Sequence, residues 1–190
     1  MAKEVTAPYS FYLLGGLMLF RLAFIAMLAI PVVGFGSDLP RTSVDEDGSV
    51  VGQMVIEATQ EEIRHILSQI DNLRELSTEV TIVESHRKGR CQEVERTSRG
   101  VWRPFRWLAL RCPTAQGFSE SLVQSTDLSH YETEWVLEEM GESTNVTYRV
   151  HTEVDHVMVP NAVVRSGMLS GVKNAVVNLA KKVLKKKENR

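Results

Sequence analysis

After Pro160 the sequence changes period, and that change constrains the fold more than any other feature. Val164, Met168, Val172, Ala175, Val176, Leu179 and Val183 recur every three or four residues, the spacing of one helix face. Such a helix makes about six to seven turns and is ~40 Å long. Before Pro160 the period is two. Val146, Tyr148, Val150, Thr152 and Val154 alternate with Thr147, Arg149, His151 and Glu153. Tyr131, Thr133, Trp135 and Leu137 alternate with Glu132, Glu134, Val136 and Glu138. Clean alternation marks antiparallel strands with one wet face and one covered face. A long amphipathic helix must hide its stripe, and the covered face of that sheet is the large surface available.

The segments upstream fit the same plan. Val50–Glu57 is rich in β-branched residues and reads as a strand. Thr59 with Glu62 spells a capping box, and Ile63, Ile66, Leu67 and Ile70 then line one helix face. Asp71-Asn72 starts a short second turn carrying Leu73 and Leu76. Strand-like runs follow at 79–86, 90–98, 105–112, 117–124, 130–138 and 145–154, punctuated at Gly89, Gly100, Gly117 and Gly141. The expectation is an α+β domain: a curved antiparallel sheet of about seven strands wrapped around a long C-terminal helix.

The two ends of the chain differ from this body. Between Phe11 and Phe35 the only charge is Arg21, and Arg at the centre of a membrane span costs about 2.5–3.5 kcal/mol. Read from Met18, Arg21 becomes a short positive flank, Leu22–Val33 the apolar core, and Gly34-Phe35-Gly36 the small-residue cleavage site of an export signal. The alternative is an uncleaved membrane anchor over 11–35. Residues 1–36 are therefore expected to be signal or anchor, 37–48 a polar linker, 49–187 the folded domain and 188–190 a tail. The whole chain has a net charge of -2. Residues 181–190 hold six basic residues against one acidic, and the body at 37–180 holds 14 against 22. A net charge of -8 in the body argues against nucleic acid as partner. The expected location is outside the cytoplasm, exported or membrane-anchored.

The order of elements resembles the helix-grip fold of the START-like (SRPBCC) superfamily, and within it the polyketide cyclase and coenzyme Q-binding branch. The resemblance runs from about Val50 to Leu184. It rests on Ile56-Glu-Ala58 leading into the capped helix with Ile66-Leu67 and Asp71, and on Val80-x-Ile82-Val83-Glu84. It rests further on Gly117-Phe118-x-x-Ser121, Tyr131-x-Thr133-x-Trp135-x-Leu137, Ser143-Thr144-x-Val146-x-Tyr148-x-Val150 and Val159-Pro160 before the long helix. The resemblance implies a cavity between sheet and helix that binds a lipid, a quinone or another apolar molecule. It carries over no catalytic motif and no cofactor. The function expected is binding and transport of a hydrophobic small molecule or lipid in that cavity, outside the cytoplasm; the alternatives are a polyketide cyclase or aromatase-like enzyme and a structural, partner-binding domain with a filled core.

On that reading Phe118, Leu122, Tyr131, Thr133, Trp135 and Tyr148 face Val164, Met168 and Val172 across a pocket. Aromatics supply apolar area, and Tyr hydroxyls supply fixed polar handles. Glu120 shares the face of Phe118 and Leu122. An unpaired carboxylate there is costly, so Glu120 is either a polar group of the pocket or lies at a solvated sheet edge. His130 and His151 meet across a hairpin centred near Gly141, but two imidazoles do not fill a zinc shell, so no metal is expected. Arg96, Arg99, Trp102, Arg103, Arg106, Trp107 and Arg111 form a basic, aromatic hairpin. Trp with Arg suits a bilayer interface, so Trp102, Trp107 and the Lys181–Lys187 stretch are expected to touch a membrane. Cys91 and Cys112 face each other if the hairpin turns between Val101 and Trp102. Pairing Val94 with Leu108 instead sets them on opposite faces, and the two registers stay open.

Overall fold

A computed structural model describes residues 39–78, 80–98, 104–155 and 160–189. The elements run β1 (Arg41–Val44), β2 (Val50–Ile56), α1 (Gln60–Ser68), α2 (Ile70–Leu76), β3 (Val80–Lys88), β4 (Cys91–Ser98), β5 (Phe105–Pro113), β6 (Gly117–Ser125), β7 (Leu128–Met140), β8 (Ser143–Val154) and α3 (Asn161–Glu188). The strands form one antiparallel sheet in the order β1-β2-β8-β7-β6-β5-β4-β3. Consecutive hairpins link β3 to β8, and β2 returns to pair with β8. The architecture is the expected curved sheet gripping a long C-terminal helix.

The sheet has eight strands rather than about seven. The added strand, β1, lies in the polar stretch read as linker. Its four residues Arg-Thr-Ser-Val are all exposed, so no apolar alternation announces it. Backbone pairing with the open edge of β2 makes it, and the Asp47 carboxylate supports the connecting turn by accepting from Ser49 N and Ser49 Oγ, each at 3.0 Å. The apolar head at 1–36 lies outside the described residues. Among the described residues no helix is long and apolar enough to cross a membrane.

Local signals explain the helices. Thr59 Oγ1 accepts from Glu62 N at 3.2 Å and Glu62 Oε2 accepts from Thr59 N at 3.3 Å, so the capping box forms as spelled. Ile63, Ile66 and Leu67 of α1 and Leu73 and Leu76 of α2 are buried against one end of the sheet with Ile56, Leu137, Val146 and the lower half of α3. In α3 the stripe from Val172 through Ala175, Val176, Leu179 and Val183 is buried, whereas Val164 and Met168 are only half-buried. Gly52 lets the helix settle there: a Cβ at that position would stand 2.6 Å from Val172 Cγ1. The core is thus packed under the C-terminal half of α3 and opens under its N-terminal half.

The β4–β5 hairpin decides between the two registers. Gln92 stands opposite Arg111, Val94 opposite Ala109 and Arg96 opposite Trp107. Cys91 therefore meets Cys112, and the two form a disulfide with Cα atoms 4.3 Å apart. The apolar pairing of Val94 with Leu108 fails because the inward face of β5 carries Trp107, Ala109 and Arg111. A buried arginine on that face hides it from a search for alternating apolar residues.

Candidate functional site

A cavity of about 630 Å³ lies between the inner face of the sheet and the N-terminal half of α3. Its sheet wall includes Val80, Phe105, Trp107, Leu128, Tyr131, Tyr148 and Val150; its helix wall includes Val164, Met168, Gly171 and Val172. The volume falls in the range of small-molecule sites, roughly 300–1,000 Å³. Period-two alternation turns these residues inward, with the irregularity between Leu128 and His130 letting Leu128 share the inner face with Tyr131, and the one-turn spacing of Val164, Met168 and Val172 sets them along one line of α3 above the sheet.

Of the residues expected to form a pocket, Tyr131, Tyr148, Val164, Met168 and Val172 line this cavity. Phe118 and Trp135 lie in the packed core instead. Trp135 stacks on Tyr148 with ring centroids 4.0 Å apart, so it backs the wall rather than forming it. Leu122 packs with the cluster of Trp107, Ala109, Leu128 and Tyr131. Thr133 is buried one register row from Tyr131, opposite Glu120.

Glu120 is at neither a solvated edge nor a free pocket position. It is 3% exposed and anchors a buried ion network. Arg96 Nε donates to Glu120 Oε2 at 2.8 Å and Arg96 Nη2 to Oε1 at 2.7 Å. Arg111 Nη1 donates to Oε1 at 2.8 Å, and the Tyr131 hydroxyl donates to Oε2 at 3.2 Å. Burial alone would raise the Glu120 pKa; the charges and hydrogen bonds of Arg96 and Arg111 outweigh it and hold the value at about 2. Burial lowers the pKa of Arg111 despite Glu120, while for Arg96 the pull of Glu120 outweighs burial and raises it. Both guanidiniums stay charged, because arginine starts so high. Burial, joined by the negative charge of Glu120, pushes Tyr148 up to about 12 and Tyr131 well above its ordinary value. Both phenols are therefore protonated donors at neutral pH.

This network corrects the reading of the basic hairpin as an outward patch. Arg96 and Arg111 point inward and are 8% and 2% exposed. Arg111 Nη2 also donates to Leu67 O at 2.9 Å, and its guanidinium lies 4.3 Å from the Phe118 ring centroid. Only Arg106 faces out among the described arginines of β4 and β5, near Glu95 at 3.8 Å. Trp107 is 5% exposed and packs on Tyr131 with centroids 5.2 Å apart, so it cannot lie on a membrane surface. Arg99, Trp102 and Arg103 fall outside the described residues. In the basic stretch of α3, Lys182 Nζ pairs with Glu75 and Lys187 Nζ donates to Glu57 O. These contacts tie part of that stretch to α2 and to the end of β2.

Arg96, Trp107, Phe105, Val80, Leu128 and Val150 are among the cavity residues that sequence reasoning missed. The signal for two of them was present. Setting Cys91 opposite Cys112 puts Arg96, Trp107 and Arg111 on the inner face, within reach of Glu120. On the outer face His130 and His151 do meet, edge to face at 4.8 Å between centroids. His151 Nδ1 lies 3.1 Å from Ser49 Oγ. Among the described residues no group of three or more His, Cys, Asp or Glu is placed to hold a metal ion.

No family model matches the chain, and no curated protein matches it in sequence. Solved structures do match in fold. Its structural neighbours are START-superfamily proteins. A START superfamily protein from Mycobacterium smegmatis superposes with a TM-score of 0.59 at 17% identity, over 72% of this chain and 97% of that one. Human StAR-related lipid transfer protein 5 gives 0.56 at 16%, over 78% and 81%. The Zhui aromatase/cyclase from Streptomyces sp. R1128 gives 0.55 at 14%, over 75% and 94%. Identities this low establish the START-like fold and nothing finer.

Proposed function

We propose that this domain binds an apolar small molecule or lipid in the cavity under the N-terminal half of α3. One observation carries the reading: the apolar stripe of α3 is packed at Val172 and below, yet continues through Met168 and Val164 over a space of about 630 Å³. Apolar surface facing a cavity of that size gains on the order of 25 cal/mol for each Å² that a ligand removes from water. The reading is supported in kind by the lipid transfer protein among the fold neighbours. A carrier fits better than an enzyme using Glu120 as acid or base. At a pKa of about 2 that carboxyl holds no proton to give, and four donors occupy its oxygens.

The same proposal places the domain outside the cytoplasm. What supports it is the Cys91–Cys112 disulfide together with the apolar stretch at 11–35, since disulfides persist in oxidising compartments. Native mass spectrometry of the purified protein, with extraction and identification of co-purified lipid, tests the binding reading. A reproducible adduct of an apolar molecule at one per chain is expected. A protein that stays empty after exposure to a lipid extract would reject the proposal.

A further inference from the structure

The polar side of the cavity wall carries more information than its apolar side. Two guanidiniums and one carboxylate are buried together, so the network of Arg96, Glu120 and Arg111 has a net charge of +1. Isolated buried charge is costly unless something compensates it. Glu120 has no capacity left, because each of its oxygens already accepts two hydrogen bonds. Arg111 faces away from the cavity, toward Leu67 O and Phe118. Arg96 faces into it. Among the described residues, Arg96 is the one charged side chain on the cavity wall, and no carboxylate lines it. Nε and Nη2 of Arg96 are taken by Glu120; Nη1 has no partner among the described residues.

A neighbour of Arg96 on that wall is a donor as well. Tyr148 presents a protonated hydroxyl, whereas the single proton of the Tyr131 hydroxyl is given to Glu120. A guanidinium with a free edge beside a phenol proton, without an acid on the wall, makes a site for an oxygen-rich anion. Arginine binds carboxylates in this way through charge-assisted hydrogen bonds.

We propose that the ligand is an amphipathic anion, with its apolar body along Val164, Met168 and Val172 and a carboxylate at Arg96. This rests on the cavity-binding reading above and adds to it the chemistry of the head group. The network then reaches neutrality on loading: the carboxylate supplies the charge that Glu120 alone cannot.

A head-group series on one alkyl chain tests it, in the full chain at neutral pH and below micelle-forming concentrations. The probes are dodecanoate, dodecanol and dodecylammonium, each titrated by calorimetry. Dodecanoate should bind at least about tenfold more tightly than dodecanol, with dodecylammonium weakest of the three. Arg96→Gln should erase the preference for dodecanoate, bringing dodecanoate and dodecanol within about twofold of each other. Dodecanoate and dodecanol binding equally well to the wild type would overturn the inference and leave the cavity reading standing. So would a preference for dodecanoate that survives in folded Arg96→Gln. Failure of all three probes to bind would overturn the cavity reading and this inference together. If Arg96→Gln does not fold, Arg96→Lys, which keeps the charge, must retain dodecanoate over dodecanol; losing that preference while folded and still binding dodecanol overturns the charge argument.

Discussion

Replacing Glu120 by Gln removes one charge and almost no volume, so its effect isolates the electrostatics of the core. The side chain is 3% exposed and accepts hydrogen bonds from Arg96 Nε, Arg96 Nη2, Arg111 Nη1 and the Tyr131 hydroxyl, at 2.7–3.2 Å. Gln keeps one acceptor oxygen and turns the other into an NH2 that points donors at donors. The buried network goes from +1 to +2. Breaking a buried ion pair by removing one partner costs about 3–5 kcal/mol. For a chain of this size each kcal/mol moves the melting midpoint by about 2–4 °C, so the fall should be roughly 6–20 °C. Urea unfolding at neutral pH, followed by far-UV circular dichroism with the disulfide intact, measures it. A loss below about 1 kcal/mol would refute the reasoning, because it would mean that the arginines find water or other partners without Glu120. The combined variant Arg96→Met, Arg111→Met and Glu120→Leu should recover most of the loss, since a buried network replaced whole by apolar groups is often neutral or stabilising.

Further outcomes follow from single features. The Glu120 pKa is about 2 in the folded chain against an ordinary 4.5, and a depressed folded value means stability present above the unfolded pKa and lost as pH falls toward the folded one. The unfolding free energy from urea titrations should therefore fall between about pH 4.5 and pH 2 by about 3 kcal/mol from this group, and the slope should flatten in Glu120→Gln. The disulfide closes a loop of sequence separation 21, so Cys91→Ser with Cys112→Ser should cost up to about 3 kcal/mol of unfolding free energy; no change in urea midpoint would refute that. A Cβ on Gly117 would stand 1.9 Å from Trp135 O, whereas one on Gly167 would meet no atom within 4 Å. Thermal melts should show Gly117→Ala destabilised by more than about 2 kcal/mol and Gly167→Ala stabilised by up to about 1 kcal/mol from helix propensity.

Much of the fold could be read from residue order, for a physical reason. Burial on one face imposes a period of two on β7 and β8, and burial of one stripe imposes a three-four period on α3; both are properties of single segments. The inward set Tyr131, Thr133, Trp135, Leu137 and Val146, Tyr148, Val150 is as the alternation implies. The capping box at Thr59 is equally local. What escaped were features made by pairing between segments. β1 has no buried residue, and only the free edge of β2 calls it into the sheet. Arg96 and Arg111 read as surface charges until Glu120, on β6, stands between them. Trp107 is ambiguous for the same reason: pairing Val94 with Leu108 turns it outward, pairing Cys91 with Cys112 turns it inward, and β5 alone does not choose. Register, which one residue of slip inverts, depends on the partner strand. The cysteine pair was the segment-spanning clue that would have set it.

The claim at the centre of the account is that the space beneath Met168 and Val164 holds an apolar molecule. Thr152 lies on the cavity wall, inward on β8 and half-buried, so Thr152→Trp fills the space from the sheet side. Titration of an apolar fluorescent dye into wild type and Thr152→Trp, both shown folded by their melts, tests the claim most directly. The account predicts saturable one-to-one binding to the wild type and at least about a tenfold loss in the variant. Equal dye binding to both proteins would place the ligand elsewhere and contradict it.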